Sequence, residues 1–527
     1  MIIKSPLRDV IIPETDLTSF VMKHAGEYRE KNALIDGPSG RSITYGELTT
    51  GIKSVGANLI ARGFEKGQVL AILSPNIPEY AIAFHGVASI GGIVTPINPL
   101  YTRSEIGHQL NDSRAKVLVT TPQCMDTALD ACIGTSIEEI FVFGEAEGAT
   151  PFSTLLQPCS VHSIVNIRPD EDIVALPYSS GTTGLPKGVM LTHKNLVANL
   201  CQMEGLNYFN ASDNLICVLP LFHIYGLMVV LNMGLYVGAT VVTMPRFDLE
   251  GFLQAAQKYE ISLAHLVPPV LLALSKNPIV DNYKLPKLRT LFSGAAPLGE
   301  ELTLACMKRL NIQVRQGYGM TETSPVTHSS LPAQSQIKFG SVGVCAPNTE
   351  CKVVSVETGE IVGRNQRGEI CVRGPQIMKG YLNRPDATAQ TIDPDGWLHT
   401  GDIGYADEDG HFFLVDRAKE LIKYKGFQVP PAELEALLLA HPCIGDAAVI
   451  PCPDEEAGEV PKAIVVLKQE TTAEEIINFV AERVAPHKRI RHLEFIEQIP
   501  KSASGKILRR VLVERDRARV SATKLSN

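Results

Sequence analysis

A short apolar run, residues 173–177, leads directly into a loop rich in glycine and hydroxyl side chains. The loop and the segment after it, residues 179–194, read S-S-G-T-T-G-L-P-K-G-V-M-L-T-H-K. Glycines let backbone N–H groups converge into a nest for anionic oxygens, and Lys187 adds a positive charge. Nucleotide sites in α/β folds lie at the carboxyl ends of buried strands, where this loop would stand. The feature predicts an α/β fold with a triphosphate-binding loop.

This loop differs from a Walker A loop, which places four residues between its two glycines and follows the second with Lys and Ser or Thr. Counting five residues on from Gly181 reaches Pro186, and Lys187 is followed by Gly188. The sequence therefore indicates a phosphate loop of another kind. A short G-T-T-G match by itself is also compatible with an ordinary surface turn.

The first third of the chain alternates helix and strand signals. Thr44 and Glu47 have the spacing of a capping box, which predicts that a helix begins there. Apolar strands that alternate with helices predict a mostly parallel sheet covered by helices. Beyond residue 339, short alternating runs predict a β-rich part, and the end of the chain predicts a small α/β unit. The remaining predicted elements are strands at residues 69–73, 91–96 and 115–120 and helices at residues 80–90 and from residue 193.

Composition and charge limit the classes of partner. The 527 residues are 45% hydrophobic and 20% charged, which is typical of a globular protein with more than one folding unit. A net charge of −8 argues against a nucleic-acid partner, which would require a basic surface. The eleven cysteines contain no C-x-x-C pair, and the closest spacings are Cys124 to Cys132 and Cys345 to Cys351. We therefore expect scattered thiols in a reducing compartment, and neither a zinc site nor a disulfide framework.

Residues 215–242 form the most apolar region of the sequence. Pro220, His223, Asn232 and three glycines interrupt it, so we expect buried core and no membrane span. The first residues, M-I-I-K-S-P-L-R-D, lack the apolar segment of a secretory signal, and the final K-L-S-N differs from the peroxisomal S-K-L. These features together lead us to expect a cytoplasmic protein.

Residues 179–194 resemble the AMP-binding signature of the acyl-adenylate-forming enzymes, which include acyl-CoA ligases, adenylation domains of peptide synthetases and firefly luciferase. They are most similar to 4-coumarate–CoA ligase-like acyl-CoA synthetases. The resemblance implies an AMP-forming ligase that joins a carboxylic acid to coenzyme A through an acyl-AMP intermediate. Three further motifs follow in the family's order: Q-G-Y-G-M-T-E-T at residues 316–323, W-L-H-T-G-D at residues 397–402, and V-D-R-A-K-E-L-I-K-Y-K-G-F-Q at residues 415–428.

The resemblance also implies how the chain is divided. Residues 1–418 would form a large N-terminal adenylation core of parallel and mixed sheets with helices, with its β-rich part at about residues 339–418. Residues 419–527 would form a small mobile C-terminal α/β domain that pivots near Lys419. Lys506, in K-S-A-S-G-K-I-L-R-R at residues 501–510, resembles the lysine with which this domain enters the site. We expect the other basic residues of that segment on a solvated helix.

ATP, Mg²⁺ and coenzyme A are the cofactors that the resemblance implies. Tyr318 would stack on adenine, and Thr321 would reach the α-phosphate. Asp402 would bind both ribose hydroxyls, since a carboxylate accepts two hydrogen bonds at once. Glu322 and Thr183 would hold Mg²⁺, for which carboxylate oxygen is a suitable ligand. The residues implied to bind ATP or AMP are Ser179, Ser180, Gly181, Thr182, Thr183, Lys187, Ala295, Gln316, Gly317, Tyr318, Thr321, Asp402, Arg417, Lys419 and Lys423.

Catalysis by such an enzyme has two steps. In the first, His223 would position the carboxylate, and Lys506 would lie between the carboxylate and the α-phosphate. In the second, rotation about Lys419 would withdraw Lys506 and bring new side chains towards coenzyme A. The residues implied in catalysis are Lys506, His223, Lys423, Gln428, Thr183 and Glu322, and those implied to bind coenzyme A are Arg246, Lys425 and Gly426.

The acyl pocket departs from the pattern of the plant hydroxycinnamate ligases. They carry Lys and Gly where this chain has Phe292 and Ala295. The replacements remove a polar contact for a ring hydroxyl and narrow the pocket, so a less polar acid is favoured. An aryl acid and a medium- or long-chain alkyl acid both stay open. The residues implied to contact the acid are Tyr225, Phe292, Ala295, Gly317, Pro325 and Val326.

Three other functions are open at this point. The enzyme could load a carrier protein, or it could be a luciferase-like oxygenase that uses the same adenylate. The chain could also be a non-enzymatic nucleotide-binding relative, although it retains Lys187, Glu322, Asp402, Arg417 and Lys506. Single motifs have structural alternatives as well, because a histidine in apolar company is often a core residue.

Overall fold

A computed structural model describes residues 1–161, 165–179, 186–417, 420–425, 427–454, 456–502 and 505–525. The side chains of Gln334, Gln428 and residues 520–525 lie outside that description. The first strands in chain order are β1 (Ile3–Lys4), β2 (Asn32–Asp36), β3 (Ser42–Thr44), β4 (Val69–Leu73), β5 (Ile93–Ile97), β6 (Val117–Thr120), β7 (Glu139–Val142), β8 (Thr150–Pro151), β9 (Ile173–Ala175), β10 (Tyr178–Ser179) and β11 (Lys187–Thr192).

The strands that follow complete the sheets of both domains. They are β12 (Asn214–Cys217), β13 (Thr240–Thr243), β14 (Leu263–Leu266), β15 (Thr290–Ser293), β16 (Gln313–Gly319), β17 (Val326–Ser329), β18 (Val344–Cys345), β19 (Glu350–Val354), β20 (Gly368–Arg373), β21 (Gly380–Tyr381), β22 (Leu398–Ala406), β23 (Phe412–Arg417), β24 (Ile422–Tyr424), β25 (Phe427–Val429), β26 (Ile444–Asp454), β27 (Gly458–Leu467) and β28 (His492–Phe495).

Helices cover the sheets. The α-helices are α1 (Leu17–Val21), α2 (Tyr45–Ala61), α3 (Glu79–Ala88), α4 (Arg103–Ser113), α5 (Met125–Cys132), α6 (His193–Glu204), α7 (Met233–Tyr236), α8 (Leu249–Lys258), α9 (Pro268–Lys276), α10 (Glu300–Leu310), α11 (Pro385–Thr391), α12 (Pro431–Ala440), α13 (Ala473–Ala481) and α14 (Arg509–Leu525). A π-helix spans Tyr225–Asn232, and 3₁₀ turns span Pro122–Cys124, Phe152–Leu156, Pro278–Asn282, Thr321–Thr323, Gln334–Gln336 and Pro486–Lys488.

Two large mixed sheets form the body of the N-terminal part. In the first sheet the strand order is β10-β11-β9-β5-β4-β6-β7-β8, with β21 also paired to β11, and its central strands are parallel. In the second sheet the order is β18-β17-β16-β15-β14-β12-β13-β2-β3, with parallel pairing from β16 to β2. All five residues of β4 are buried, as expected for a strand covered on both faces. The predicted α/β class with a parallel core is confirmed.

Two smaller sheets complete the fold. The third sheet, β1-β19-β20-β22-β23, is antiparallel and forms the predicted β-rich part. The fourth sheet, β25-β24-β27-β26 with β28 paired to β27, carries α12 and α13 on its own apolar core. It forms the small C-terminal α/β domain that the sequence predicts.

Local signals in the first third are reproduced. Thr44 caps α2 through a capping box with Glu47, and β4 has the predicted bounds. The strands predicted at residues 91–96 and 115–120 are β5 and β6, and the helix predicted at residues 80–90 is α3. Residues 215–242 form β12, the π-helix, α7 and β13, whose apolar side chains lie in the core. Among the described helices, none combines the length and apolarity that a bilayer crossing requires.

Candidate active site

A half-buried tyrosine–carboxylate pair lies where β16 meets the third sheet. Tyr318, in β16, donates a hydrogen bond from its hydroxyl to Asp402 Oδ2 at 2.5 Å. Asp402 lies opposite Arg417 in the β22–β23 pair, and Arg417 Nε is 3.4 Å from Asp402 Oδ1. Burial raises the pKa of Asp402, and the Arg417 guanidinium opposes that shift. The two oxygens of the carboxylate are thus held by two different partners.

A second carboxylate, Glu322, lies in the 3₁₀ turn Thr321–Thr323 and is buried, with 3% exposure. The Tyr381 hydroxyl donates to Glu322 Oε1 at 2.9 Å. Lys187, the first residue of β11, places its Nζ 4.8 Å from the centroid of the Tyr381 ring. Tyr381 therefore connects the carboxylate of one motif with the lysine of another. Sequence analysis missed it, because β21 carries no motif and meets these residues only through its pairing with β11.

Lys506 reaches the same region from the C-terminal domain. Ser502 N donates to the Lys506 carbonyl at 2.8 Å, and Gly505, the residue before Lys506, adopts a φ of 80°. A Cβ on Gly505 would lie 3.1 Å from Val267 Cγ2 at the start of α9, so Gly505 lies against the N-terminal part. Burial lowers the pKa of Lys506, as does the nearby Arg417 charge, while Asp402 and Glu322 raise it. The tail lysine is therefore within electrostatic range of both site carboxylates.

His223 borders this region and precedes the π-helix. Tyr225 N donates to His223 Nδ1 at 3.2 Å, which leaves the proton of the neutral ring on Nε2. Burial lowers the pKa of His223 to about 3, and the charge of Lys506 contributes to the shift. His223 is therefore a neutral hydrogen-bond donor at neutral pH.

An aromatic cluster lies on the other side of His223. The Tyr225 hydroxyl and His265 Nδ1 are hydrogen-bonded at 3.1 Å. The His265 ring stacks on Phe292 with a centroid distance of 4.8 Å and an interplanar angle of 10°, and it also stacks on Phe209 at 5.7 Å. Burial lowers the pKa of His265 to about 3, so this end of the site is uncharged. Sequence analysis missed His265, which stands in β14 without a motif around it.

The loop after β15 closes onto this cluster. A Cβ on Gly294 would lie 2.7 Å from the Tyr225 ring, so only glycine fits there. Ala295 adopts a φ of 69°, a left-handed conformation that side chains with a Cβ disfavour. Gln316 fixes the end of the loop, since its Oε1 accepts from Leu298 N at 3.3 Å and its Nε2 donates to Leu298 O at 3.2 Å.

Two residues predicted to contact the acid, Pro325 and Val326, lie beside helix α6. Asn199, in α6, accepts from Val326 N at 3.0 Å and donates to Val326 O at 2.8 Å. A Cβ on Gly319 would lie 1.8 Å from Pro325 O, so β16 and this loop approach as closely as glycine allows. Gly317 is beside them in β16, with the His328 carbonyl 3.3 Å from where its Cβ would be.

Several predicted site residues are elsewhere or outside the described part of the chain. Ser179 ends β10 and pairs with Lys187, so the two ends of the predicted phosphate loop are adjacent. Arg246, Lys423 and Lys425 are exposed, and Lys425 forms an ion pair with Glu456 of its own domain. Those outside the described residues are Ser180, Gly181, Thr182, Thr183, Lys419 and Gly426, together with the side chain of Gln428.

One expectation about the tail is wrong. Arg509, expected on a solvated helix, lies within the small C-terminal domain and pairs there with Glu420 and with Glu435 at 2.6 Å. Its side chain is only 16% exposed, and burial of Glu435 raises the pKa of that carboxyl to about 6. The guanidinium is buried because its planar fork can satisfy two carboxylates at once. Arg510, the next residue, is exposed as expected.

Comparison with known proteins assigns both parts of the chain. A family model described as AMP-binding enzyme matches residues 21–382, and one described as AMP-binding enzyme C-terminal domain matches residues 433–506. The sequence is 47% identical over 535 residues to the 4-coumarate–CoA ligase 1 of Solanum tuberosum, covering 99% of this chain and 97% of that protein. The 4-coumarate–CoA ligase of Vanilla planifolia is 47% identical over 542 residues, which cover 100% of this chain and 97% of that protein.

A solved structure has the same fold over nearly the full length. The anthranilate CoA ligase AuaEII, in complex with anthranoyl-AMP, superposes with a TM-score of 0.89 at 28% identity, covering 97% of this chain and 98% of that one. The arrangement of both domains is therefore shared with a ligase crystallised with an acyl adenylate.

Proposed function

Because the chain belongs to the AMP-binding enzyme family, we propose that it is an ATP-dependent carboxylate–CoA ligase that forms an acyl-AMP and then an acyl-CoA thioester. One observation carries the proposal. Lys506 of the small domain lies within electrostatic range of Asp402, Glu322, Arg417 and His223 of the large domain. A cation that a separate domain brings to a site with two carboxylates suits a reaction whose charge changes between two steps.

In the first step a carboxylate oxygen of the acid attacks the α-phosphorus of ATP. The bond from that phosphorus to the pyrophosphate oxygen breaks, and pyrophosphate leaves with the electron pair. Two anions must approach each other, so positive charge near the reacting oxygens lowers the barrier. Lys506 and Arg417 supply that charge, and the Nε2–H of His223 orients the carboxylate. Tyr318 and Asp402 would hold the adenosine, with Thr321 and Gln316 beside it.

Glu322 fits a role as the Mg²⁺ ligand. Its carboxylate is buried, Tyr381 occupies one oxygen, and within the described residues no basic side chain forms an ion pair with it. A hard cation bound to phosphates needs few protein ligands, and an oxygen of Glu322 suits it, with Thr183 as the second expected ligand. Bound Mg²⁺ would reduce the negative charge of the phosphates, and Lys187 would do the same for the outer ones.

In the second step the thiol sulfur of coenzyme A attacks the acyl carbon. The bond to the AMP oxygen breaks, AMP leaves with the electron pair, and the thiol proton is released. During adenylation Lys506 would lie over the acyl group, so we propose that residues 419–527 rotate against residues 1–418 near Lys419 before the thiol attacks. Rotation would bring Lys423, Gln428, Lys425 and Gly426 inward, and it accounts for the exposure of Lys423 and Lys425 here.

The acid is an aryl acid of the hydroxycinnamate type. Relatives that are 47% identical over nearly the full chain are 4-coumarate–CoA ligases, and the acyl end is lined by flat, neutral rings. His265 Nε2 is buried, and within the described residues it has no hydrogen-bond partner. A buried polar atom of this kind costs about 1–3 kcal/mol, which a ring hydroxyl of the acid would recover. The His265 imidazole would therefore contact the ring hydroxyl in place of the lysine that plant ligases carry at the position of Phe292.

A panel of acids tests the substrate and the reaction together. The wild type, ATP and coenzyme A are incubated with 4-coumarate, cinnamate, octanoate or palmitate, and AMP release is measured. We expect 4-coumarate to have the highest kcat/KM, and His265→Leu to reduce the preference for 4-coumarate over cinnamate by about tenfold. His492→Leu, which changes an exposed histidine of the small domain, should leave that preference unchanged. A preference for palmitate would contradict the aryl assignment but not the ligase.

The other functions predict different products. A loading enzyme would transfer the acyl group to a pantetheinylated carrier protein in preference to free coenzyme A, and an oxygenase would consume O₂ and emit light. A non-enzymatic relative would show no acid-dependent exchange between ATP and labelled pyrophosphate. We propose the cytoplasm as the location, since all the cysteines lie in described residues as free thiols, as in a reducing compartment.

A further inference from the structure

A buried cluster of one histidine and two cysteines lies behind the nucleotide end of the site. We propose that His328, Cys345 and Cys351 bind a zinc ion. The three side chains are 0%, 1% and 0% exposed, and their ligand atoms lie within 4.8 Å of one another. They come from β17, β18 and β19, so the ion would connect the second sheet to the third.

The distances agree with a zinc polyhedron. His328 Nε2 is 3.7 Å from Cys345 Sγ and 3.4 Å from Cys351 Sγ. In a tetrahedral site with Zn–S of about 2.3 Å and Zn–N of about 2.0–2.1 Å, neighbouring N and S ligands are about 3.5 Å apart. The two nitrogen–sulfur distances are therefore those of a zinc site.

The hydrogen bonds around His328 select the tautomer that a metal requires. The Thr327 hydroxyl donates to the Tyr318 carbonyl at 3.2 Å, so its oxygen is free to accept from the imidazole. His328 Nδ1 is 3.0 Å from that oxygen, a distance at which it can donate its proton to the hydroxyl. The lone pair of Nε2 then faces both sulfurs. A ligating histidine whose other nitrogen donates to a neighbouring oxygen is the usual arrangement at zinc sites.

Charge balance also favours a divalent ion. Binding releases one proton from each thiol, and Zn²⁺ with two thiolates and a neutral imidazole has no net charge. Such a group can be buried among Ile3, Val353 and Phe412 without the cost of an unpaired ion. The carbonyl oxygen of Ile3 is 4.0 Å from Cys345 Sγ and is available as a fourth ligand.

A second cluster, formed by Glu369, Cys371 and His399, is a weaker candidate for a metal site. His399 Nδ1 is bonded to Glu369 Oε2 at 2.8 Å, and Glu369 Oε1 accepts from Gly401 N at 2.9 Å. These groups satisfy one another and fix the turn before Asp402. In the first cluster, by contrast, the thiols of Cys345 and Cys351 share a single acceptor, the lone pair of His328 Nε2, so the three groups cannot all satisfy one another.

Metal analysis tests the proposal on the full chain produced without a histidine tag, in reducing buffer with zinc in the growth medium. We expect one zinc per chain by mass spectrometry of the metal. Replacement by Co²⁺ should give thiolate-to-cobalt charge-transfer absorption in the near ultraviolet. The Cys345→Val/Cys351→Val double variant keeps apolar side chains of similar size, and we expect it to retain less than a tenth of the zinc.

Cys371→Val and Cys306→Val are the matched controls, since each removes a buried thiol elsewhere and both should retain the zinc. The cobalt spectrum of the wild type decides the question even if the double variant does not fold. A zinc-free wild type, zinc retained in the double variant, or zinc lost only in Cys371→Val would each overturn the proposal. None of these measurements depends on ligase activity.

Discussion

The two ends of the candidate site are built by different means. At the nucleotide end, Asp402, Glu322, Arg417 and Lys506 place charges of both signs within range of one another, and Lys506 comes from the small domain. At the acyl end, the rings of Tyr225, His265 and Phe292 form a neutral stack that belongs entirely to the large domain. One end can therefore change its charge by a domain movement, while the other keeps its shape.

This difference follows from the chemistry of the two steps. The β- and γ-phosphates leave as pyrophosphate after adenylation and only the single phosphate of AMP remains, so part of the counter-charge should be removable. The acid must stay in place through both steps, which a rigid stack of packed rings ensures. We therefore expect substitutions at the nucleotide end to separate the two half-reactions, and substitutions at the acyl end to affect both equally.

Lys506→Ala should have the largest effect. It removes the mobile cation, and loss of one group that stabilises transition-state charge typically reduces the rate about 10²–10³-fold. We expect that loss in acid-dependent ATP–pyrophosphate exchange, while conversion of supplied acyl-AMP to thioester stays within about twofold of the wild type, since Lys506 would be withdrawn in that step. Both half-reactions are measured on the same preparation.

Lys501→Ala is the matched control for that experiment. Lys501 lies in the same segment, but its Nζ pairs with Asp446 Oδ2 of the small domain at 2.6 Å. We expect both half-reactions to be nearly unchanged. If Lys506→Ala reduced both half-reactions equally, Lys506 would not act in adenylation alone. The proposed difference between the nucleotide end and the acyl end would then be wrong.

Asp402→Asn should weaken ATP binding without affecting the acid. A hydrogen bond to a charged group contributes about 1.5–3 kcal/mol, which corresponds to a change of about 10–100-fold in Kd. Tyr318→Phe should have a smaller effect, and the double variant should lose less than the sum, because the two side chains share one hydrogen bond. Binding is measured by calorimetry, with Tyr405→Phe on the same strand, β22, as the control. Strict additivity would contradict the coupling.

The pH dependence of adenylation should show the environment of Lys506. Burial and Arg417 lower its pKa below the ordinary value of 10.5. Because the protonated form is needed, the rate should be full below the lowered pKa and should fall about tenfold per pH unit above it. The thioester half-reaction should lack this alkaline limb. Lys506→Arg should remove the limb from adenylation, since a guanidinium stays charged. If the limb persists in that variant, it belongs to another group.

Much of the nucleotide end was predictable from the sequence. Asp402, Glu322 and Arg417 each lie in a contiguous segment that resembles a motif of the family, and the structure places Asp402 opposite Arg417. The strand β4 and the capping box of α2 were predictable for a similar reason, because an apolar run and the i, i+3 spacing of Thr44 and Glu47 are local. Only local physics is needed for such features.

The rest depends on topology. Tyr381 meets Glu322 because β21 pairs with β11, and His265 meets Phe292 because β14 and β15 are adjacent and parallel. The expectation of no zinc site rested on the spacing of the cysteines, which contains no information on His328, and the zinc proposed above would contradict it. Arg509 was expected in solvent because its segment is basic, yet its partners come from residues far along the chain. Contacts between distant strands cannot be derived from spacing.

Ala295→Gly should have the smallest effect, and it tests the rigid end. Ala295 has a φ of 69°, which costs a residue with a Cβ about 1–2 kcal/mol, and glycine adopts it freely. Glycine also adds about 0.4–1 kcal/mol of conformational entropy to the unfolded chain, so the net gain in stability is about 0.5–1 kcal/mol. We expect a higher urea midpoint and unchanged ATP affinity. Ala296→Gly, next to it without a positive φ, should lower the midpoint. If both variants lower the midpoint, the left-handed conformation of Ala295 is not strained, and the acyl end is less rigid than its stacked rings imply.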